Sequence, residues 1–165
     1  ENLKSVGLLV MLDAIYNRVI QNRKAGKFTH IYIDEIYLFF ANGNGTGRSI
    51  NNYSSEFLYK CWKTFRKCGA RLTGITQNLS ECLLSNTARQ MLANSEFLLM
   101  LNQAATDREQ LARLLGASDT QMSYVDNAPA GHGLIRVGGA IVPFSNELPK
   151  NTELYRLMST KPGED

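Results

Sequence analysis

Two adjacent acids carry the densest chemistry in this sequence: Asp34 and Glu35 directly follow the run Thr29-His30-Ile31-Tyr32-Ile33. That run is short, β-branched and aromatic, the pattern of a buried strand in an α/β sheet. Ligands of a parallel sheet bind beyond the carboxyl ends of its strands, so acids at such an end project into a crevice rather than the core. For phosphoryl transfer from ATP, an acid pair there divides the work. Asp34 would hold Mg2+, largely through water, and Glu35 would polarise the water that attacks the γ-phosphate in line. Taken alone, the same residues read equally well as an acidic exit from a strand into a loop.

Gln77 favours the first reading. It follows a second strand-like run, Arg71 to Thr76, one helix further along the chain. A right-handed crossover makes that strand parallel to the first. Gln77 is then expected close to Asp34 and Glu35, where a neutral amide can contact the γ-phosphate or the attacking water. Asp34, Glu35 and Gln77 together favour nucleotide hydrolysis over a plain acidic turn. Ring-forming ATPases often complete each site with an arginine from the neighbouring subunit. Arg66, Arg71, Arg89, Arg108 and Arg113 lie near predicted element ends or on helices. Arg89 and Arg108 lead, because they flank the apolar run Phe97 to Leu101, although most arginines are simply solvated.

Three other features resemble sites and read otherwise. Asn42 to Ser49 (NGNGTGRS) has the outline of a phosphate-binding loop, yet Asn42 stands where the first glycine belongs and Arg48 where the lysine belongs. It also follows the acid-bearing strand instead of preceding it, so a mobile surface loop is expected. Cys61, Cys68 and Cys82 lack CxxC spacing, and His30 and His132 stand apart from them. Buried or half-buried free thiols in a reducing compartment are expected, with no zinc site. Tyr59, Trp62 and Phe65 fall at helical spacing with Leu58 and Cys61, which reads as core or interface rather than a base-stacking platform.

The elements that must position these residues follow from periodicity and punctuation. Leu3 to Arg23 reads as an amphipathic helix stopped by Gly26, and Ser54 to Lys67 as a second helix stopped by Gly69. A short helix over Asn86 to Asn94 precedes the strand Phe97–Leu101. Thr106 to Leu115 is a helix with a capping box formed by Thr106 and Glu109, and Ser118-Asp119 caps another. Leu134–Val137 and Ala140–Phe144 form a hairpin around Gly138-Gly139, and Asn151–Met158 is a terminal helix. This order predicts a mainly parallel sheet flanked by helices and finished by an antiparallel edge.

The bulk numbers bound the rest. The 165 residues suit one domain, spanning 1–165, and 44% hydrophobic with 20% charged residues is ordinary for a globular chain. No apolar run reaches the roughly 18–20 residues a membrane span needs. No secretory signal is visible, and a chain opening on Glu1 reads as a piece of a longer protein. The net charge of +3 is too small, and the basic residues too scattered along the sequence, to argue for nucleic acid.

With those residues in place, the sequence resembles the CagE/TrbE/VirB-type ATPases of conjugative transfer and type IV secretion. The matching stretches are Ile31–Phe40, Ser54–Asn78, Ala88–Gln103, Asp107–Ser118 and the closing hairpin Gly131–Phe144. The resemblance implies a RecA-like P-loop NTPase core. Asp34 and Glu35 would be its Walker B acids, Gln77 its glutamine motif, and Arg89 and Arg108 would fall in its later arginine-bearing segments. It further implies ATP and Mg2+ as cofactors and a hexameric homo-oligomer. The implied site of action is the cytoplasmic face of the inner membrane, with secretion-channel components as partners and a pilus or transferred substrate, in conjugation DNA, as cargo. The family's GxxGxGK[ST] is not found in these residues, so the chain is expected to be the carboxyl-terminal, Walker B-containing part of the motor domain. Two alternatives stay open: a DNA-translocating coupling or septal-type motor, and a non-catalytic assembly module with a degenerate ATPase fold.

Overall fold

The computed structural model describes residues 2–40 and 48–159. The chain divides into two compact units, Glu1–Asn94 and Ser95–Asp165.

The first unit is built on one parallel strand pair. Helix α1 (Asn2–Lys24) ends on Arg23 and Lys24, and Gly26 turns the chain at φ 68. Strand β1 (Thr29–Ile33) follows. Helix α2 (Arg48–Thr64) runs into a 3-10 turn over Phe65–Cys68, closed by Gly69 in the left-handed region, and leads to β2 (Ala70–Gly74). The strands pair in parallel from Thr29 opposite Ala70 to Ile33 opposite Gly74. Helices α3 (Leu79–Leu84) and α4 (Asn86–Ala93) complete the unit, and the Ser85 hydroxyl accepts the Ala88 N–H to cap α4.

The strands bury one face only. Ile31 and Leu72 pack against two adjoining clusters, one holding Leu12, Ile33, Ile36, Phe39, Leu58 and Met91, the other Val19, Cys61, Phe65 and Ala70. On the opposite face His30, Tyr32, Arg71 and Thr73 are exposed. The expected core roles of Tyr59, Trp62 and Phe65 are seen: Phe65 is buried, and the other two pack against the core. All three cysteines are free, with Cys61 and Cys82 buried. Helix α3 was not expected, because six residues are too few for a 3.6-residue period to show.

The second unit is antiparallel. Strand β3 (Phe97–Met100) pairs with β4 (His132–Val137), which pairs with β5 (Ala140–Ser145). Helices α5 (Ala105–Leu115) and α6 (Asp119–Met122) stand between β3 and β4, and α7 (Glu153–Met158) follows β5. Met100, Leu111, Met122, Val125 and Leu134 are buried. The fold is α/β as expected, with helices flanking a parallel and an antiparallel sheet, and the hairpin falls where Gly138-Gly139 placed it. Parallel pairing is confined to β1 and β2, however, and β3 joins the hairpin instead.

Two local expectations are corrected. Helix α5 starts at Ala105 with Ala104 at its cap and no side-chain cap bond, so Thr106 and Glu109 form no capping box. The box belongs to α6, where Ser118 and Gln121 bond reciprocally. Of the loop expected over Asn42 to Ser49, residues 42–47 lie outside the described residues, and Arg48 and Ser49 open α2. No helix among the described residues is long and apolar enough to cross a membrane.

Candidate active site at the carboxyl edge of the parallel pair

Strand pairing continues one step past β1 and β2 and holds the acid pair outside it. The Ile75 N–H donates to the Ile33 carbonyl at 2.9 Å, and the Ile36 N–H donates to the Ile75 carbonyl at 3.0 Å. Asp34 and Glu35 form the excursion between those two bonds. Ile36, the residue after the excursion, lies against Gly74: a Cβ there would come 2.5 Å from the Ile36 Cδ1. The missing side chain at Gly74 therefore lets the chain return to the sheet directly after Glu35.

The return bends the backbone hard. Glu35 sits at φ 49 and ψ 47, in the left-handed region. A residue with a long side chain held there costs about 1–3 kcal/mol, and such strain collects at functional sites. The Glu35 N–H donates to Asp34 Oδ1 at 2.9 Å, which fixes the Asp34 carboxylate over the turn. Asp34 is exposed, whereas Glu35 is half-buried and its Oε2 is fully buried with no hydrogen-bond partner among the described residues. An unpartnered buried carboxylate oxygen is costly and calls for a donor such as water.

Gln77 stands three residues beyond the end of β2, on the same edge as Asp34 and Glu35, and is exposed. The turn that carries it is tied by the Asn78 N–H donating to Thr76 Oγ1 at 3.1 Å. Cys82 lies beneath this edge. Burial pushes its thiol up to about 11, a hydrogen bond with Thr76 works against that, and the charges of Glu81 and Glu35 add to it. Glu35, Thr76 and Cys82 thus share one neighbourhood. Cys82 did not stand out in the sequence as part of this site, since only the turn after β2 brings it to Glu35.

The arginines are placed differently. Arg89 is on α4, where its Nε donates to the Leu83 carbonyl and closes the α3–α4 corner. Arg108 lies in the second unit, paired with Asp126 and donating to the Gln103 carbonyl at 3.3 Å. Both are engaged in bonds that hold their own unit together.

ATP with Mg2+ fits what the acid edge offers. Among the described residues no group of three or more His, Cys, Asp or Glu could cage a metal. Mg2+ bound with a nucleotide needs only one or two carboxylates, because water and phosphate oxygens complete its shell. An exposed Asp34 beside the orphaned Glu35 oxygen matches that requirement.

The parallel strand pair with helices packed on one face, together with the antiparallel sheet of the second unit, defines an α/β class of fold. Over 88% of its length the chain superposes on the solved structure of VirB4 of Thermoanaerobacter pseudethanolicus, with a TM-score of 0.75 and 22% sequence identity. The chain spans 37% of that structure's length. The fold is therefore that of the corresponding part of VirB4. No family model and no curated protein matches the sequence.

Proposed function

We propose that this chain is the Walker B-bearing part of an ATPase motor of a type IV secretion system. The observation that carries the reading is Glu35: a strained residue at the carboxyl end of a parallel strand, with one carboxylate oxygen buried and lacking a partner among the described residues. The likeness to VirB4 supports it at the level of the fold. Mg2+, when bound with ATP, neutralises charge on the β- and γ-phosphates. Asp34 is the residue to hold it, through water, with its carboxylate oriented by the Glu35 N–H. Glu35 accepts a hydrogen bond from the attacking water and draws its proton, and the left-handed turn aims the carboxylate. Gln77 offers a neutral amide to the γ-phosphate or that water from the neighbouring strand end. Phosphate binding would come from a P-loop elsewhere in a longer protein. Conjugative transfer, a hexameric ring, channel partners and a place at the inner face of the membrane belong to the same proposal. Arg89, bonded through Nε, or Arg108, bonded through one terminal nitrogen, would act across a subunit boundary with its remaining N–H groups.

The test compares this chain, a version extended to include a P-loop, and the extended version carrying Glu35→Gln. The extended protein is expected to hydrolyse ATP and the short chain to be inert. Glu35→Gln should lower turnover by about 100-fold or more while nucleotide still binds. An extended protein that neither binds nor hydrolyses ATP makes this an assembly module instead.

A further inference from the structure

Half of the chain's cations lie in two stretches that contain no acid at all. Residues 14–33 hold Arg18, Arg23, Lys24 and Lys27, and residues 57–80 hold Lys60, Lys63, Arg66, Lys67 and Arg71, together nine of the 18 Lys and Arg, with no Asp or Glu in either stretch. They look scattered along the sequence, but the fold brings together those around the two glycine turns. Both stretches run down a helix, through a glycine turn and into a strand, and the strands are parallel. The two turns, at Gly26 and Gly69, therefore sit side by side at the amino edge of the pair. The Thr29 N–H donates to the Gly69 carbonyl at 3.0 Å, and an Arg23 guanidinium nitrogen lies 3.9 Å from the Cys68 sulfur. All nine cations are exposed, and among the described residues none forms an ion pair. The candidate active site occupies the opposite, carboxyl edge.

Aromatic rings run out of this basic edge. Phe28, just before β1, and His30 and Tyr32 within it alternate along the chain and so project to one face, where Phe28 is 55% and Tyr32 69% exposed. The Arg71 guanidinium stands 5.3 Å from the Phe28 ring centroid, and the His30 ring 5.2 Å away on the same face. A membrane-surface helix keeps its cations on one face and an apolar face of Trp, Phe and Leu on the other. Here the exposed apolar group among the cations is a ring flanked by a guanidinium and an imidazole. Cations that track a phosphate backbone, beside rings that stack bases, are what single-stranded nucleic acid recognises.

We propose that the amino edge of the β1–β2 pair binds single-stranded nucleic acid, with phosphates on Arg23, Lys24, Lys27, Arg66 and Lys67 and a base stacked on Phe28 beside Arg71. The surface is separate from the hydrolytic edge and does not depend on nucleotide hydrolysis.

Fluorescence anisotropy of the 165-residue chain with a labelled oligothymidylate, titrated over 50–200 mM salt, tests it. Binding should weaken steeply with salt, by about 0.7 log units per log unit of salt for each phosphate contact. The charge reversal Lys27→Glu/Arg66→Glu/Lys67→Glu should cut affinity at least about tenfold and lower that slope by about two units. Arg113→Glu/Lys150→Glu/Arg156→Glu makes the same net-charge change in the second unit and should keep the slope. Phe28→Ala should weaken single-strand binding by about tenfold with the slope unchanged. Near-ultraviolet signals and Trp62 fluorescence verify that each variant is folded. The proposal is overturned by no binding at 50 mM salt, by equal losses in the two charge variants, or by an unaffected Phe28→Ala. Binding to phosphatidylserine vesicles without binding to the oligonucleotide would overturn it in favour of a membrane surface.

Discussion

In the unit Ser95–Asp165 the charged groups hold the fold together. Arg108 joins Asp126 and the Gln103 carbonyl, His132 meets Glu147 at 3.3 Å, and Arg136 donates to the Ser95 carbonyl at 2.7 Å. In the unit Glu1–Asn94 the charged groups are set apart by sign instead: acids leave the carboxyl ends of the strands, and cations crowd the amino ends. Among the described residues of that unit no ion pair forms. Groups that already have partners stabilise, and groups held without partners are available to a ligand. The contrast assigns structure to the second unit's charges and leaves most of the first unit's open to a ligand.

The largest effect expected from that contrast concerns how tightly each sheet is built. A Cβ at Gly133 would lie 2.1 Å from the Met100 carbonyl oxygen, which is backbone of the neighbouring strand and cannot move aside. Gly133→Ala should destabilise by about 3 kcal/mol, the upper end of overpacking costs. The corresponding clash at Gly74 is with the tip of Ile36, which can rotate, so Gly74→Ala should cost only about 1 kcal/mol. Denaturant titration of both variants decides this, and equal costs would remove the distinction between the sheets.

Next comes Glu35. Placing glycine at its left-handed position relieves the backbone and removes the unbonded oxygen. Glu35→Gly should therefore raise stability by about 1 kcal/mol, read through Trp62 fluorescence in urea. In an extended protein the same change should abolish ATP turnover. A loss of stability would mean that Glu35 has a structural partner and that its strain has no functional meaning.

Arg108 should behave in the opposite way. Its side chain and that of Asp126 are 23% and 44% exposed, so Arg108→Ala should cost about 1 kcal/mol of stability and no more. A double-mutant cycle with Asp126→Asn should recover most of that loss as coupling. If Arg108→Ala instead stops ATP turnover in an extended protein without moving stability, Arg108 belongs to the catalytic machinery.

The smallest effect is on pH dependence. Burial pushes Cys61 and Cys82 up to about 11 from an ordinary 9.0. The folded state holds these protons more tightly than the unfolded state, so their contribution to stability is complete below pH 9 and is lost as pH rises towards 11. Urea midpoints read through Trp62 should fall over that interval. Cys82→Ala should flatten the fall, and an unchanged profile would show that the thiol is not effectively buried.

Much of this was legible in the residues. The strand Thr29–Ile33 has the bounds its β-branched and aromatic run dictates, and the glycines at 26 and 69 end helices because the left-handed turn there disfavours a side chain. Asp34, Glu35 and Gln77 could be assigned to one edge because a right-handed crossover leaves two parallel strands pointing the same way. The α/β class followed from the order of the elements.

Other features needed the tertiary structure, because they depend on distances between residues far apart in sequence. Nothing in the local pattern of Phe97–Met100 says that it pairs with Leu134–Val137 rather than with a parallel neighbour, since both partners suit an apolar strand. The left-handed Glu35 arises from packing Ile36 on Gly74, some 40 residues away. The bonds of Arg89 and Arg108 are likewise invisible in sequence, where an arginine near an element end looks the same whether it is solvated, structural or catalytic. The basic edge makes the same point: the sequence supplied the acid-free stretches, and only the parallel pairing of their strands brought the turns at Gly26 and Gly69, with the cations around them, side by side.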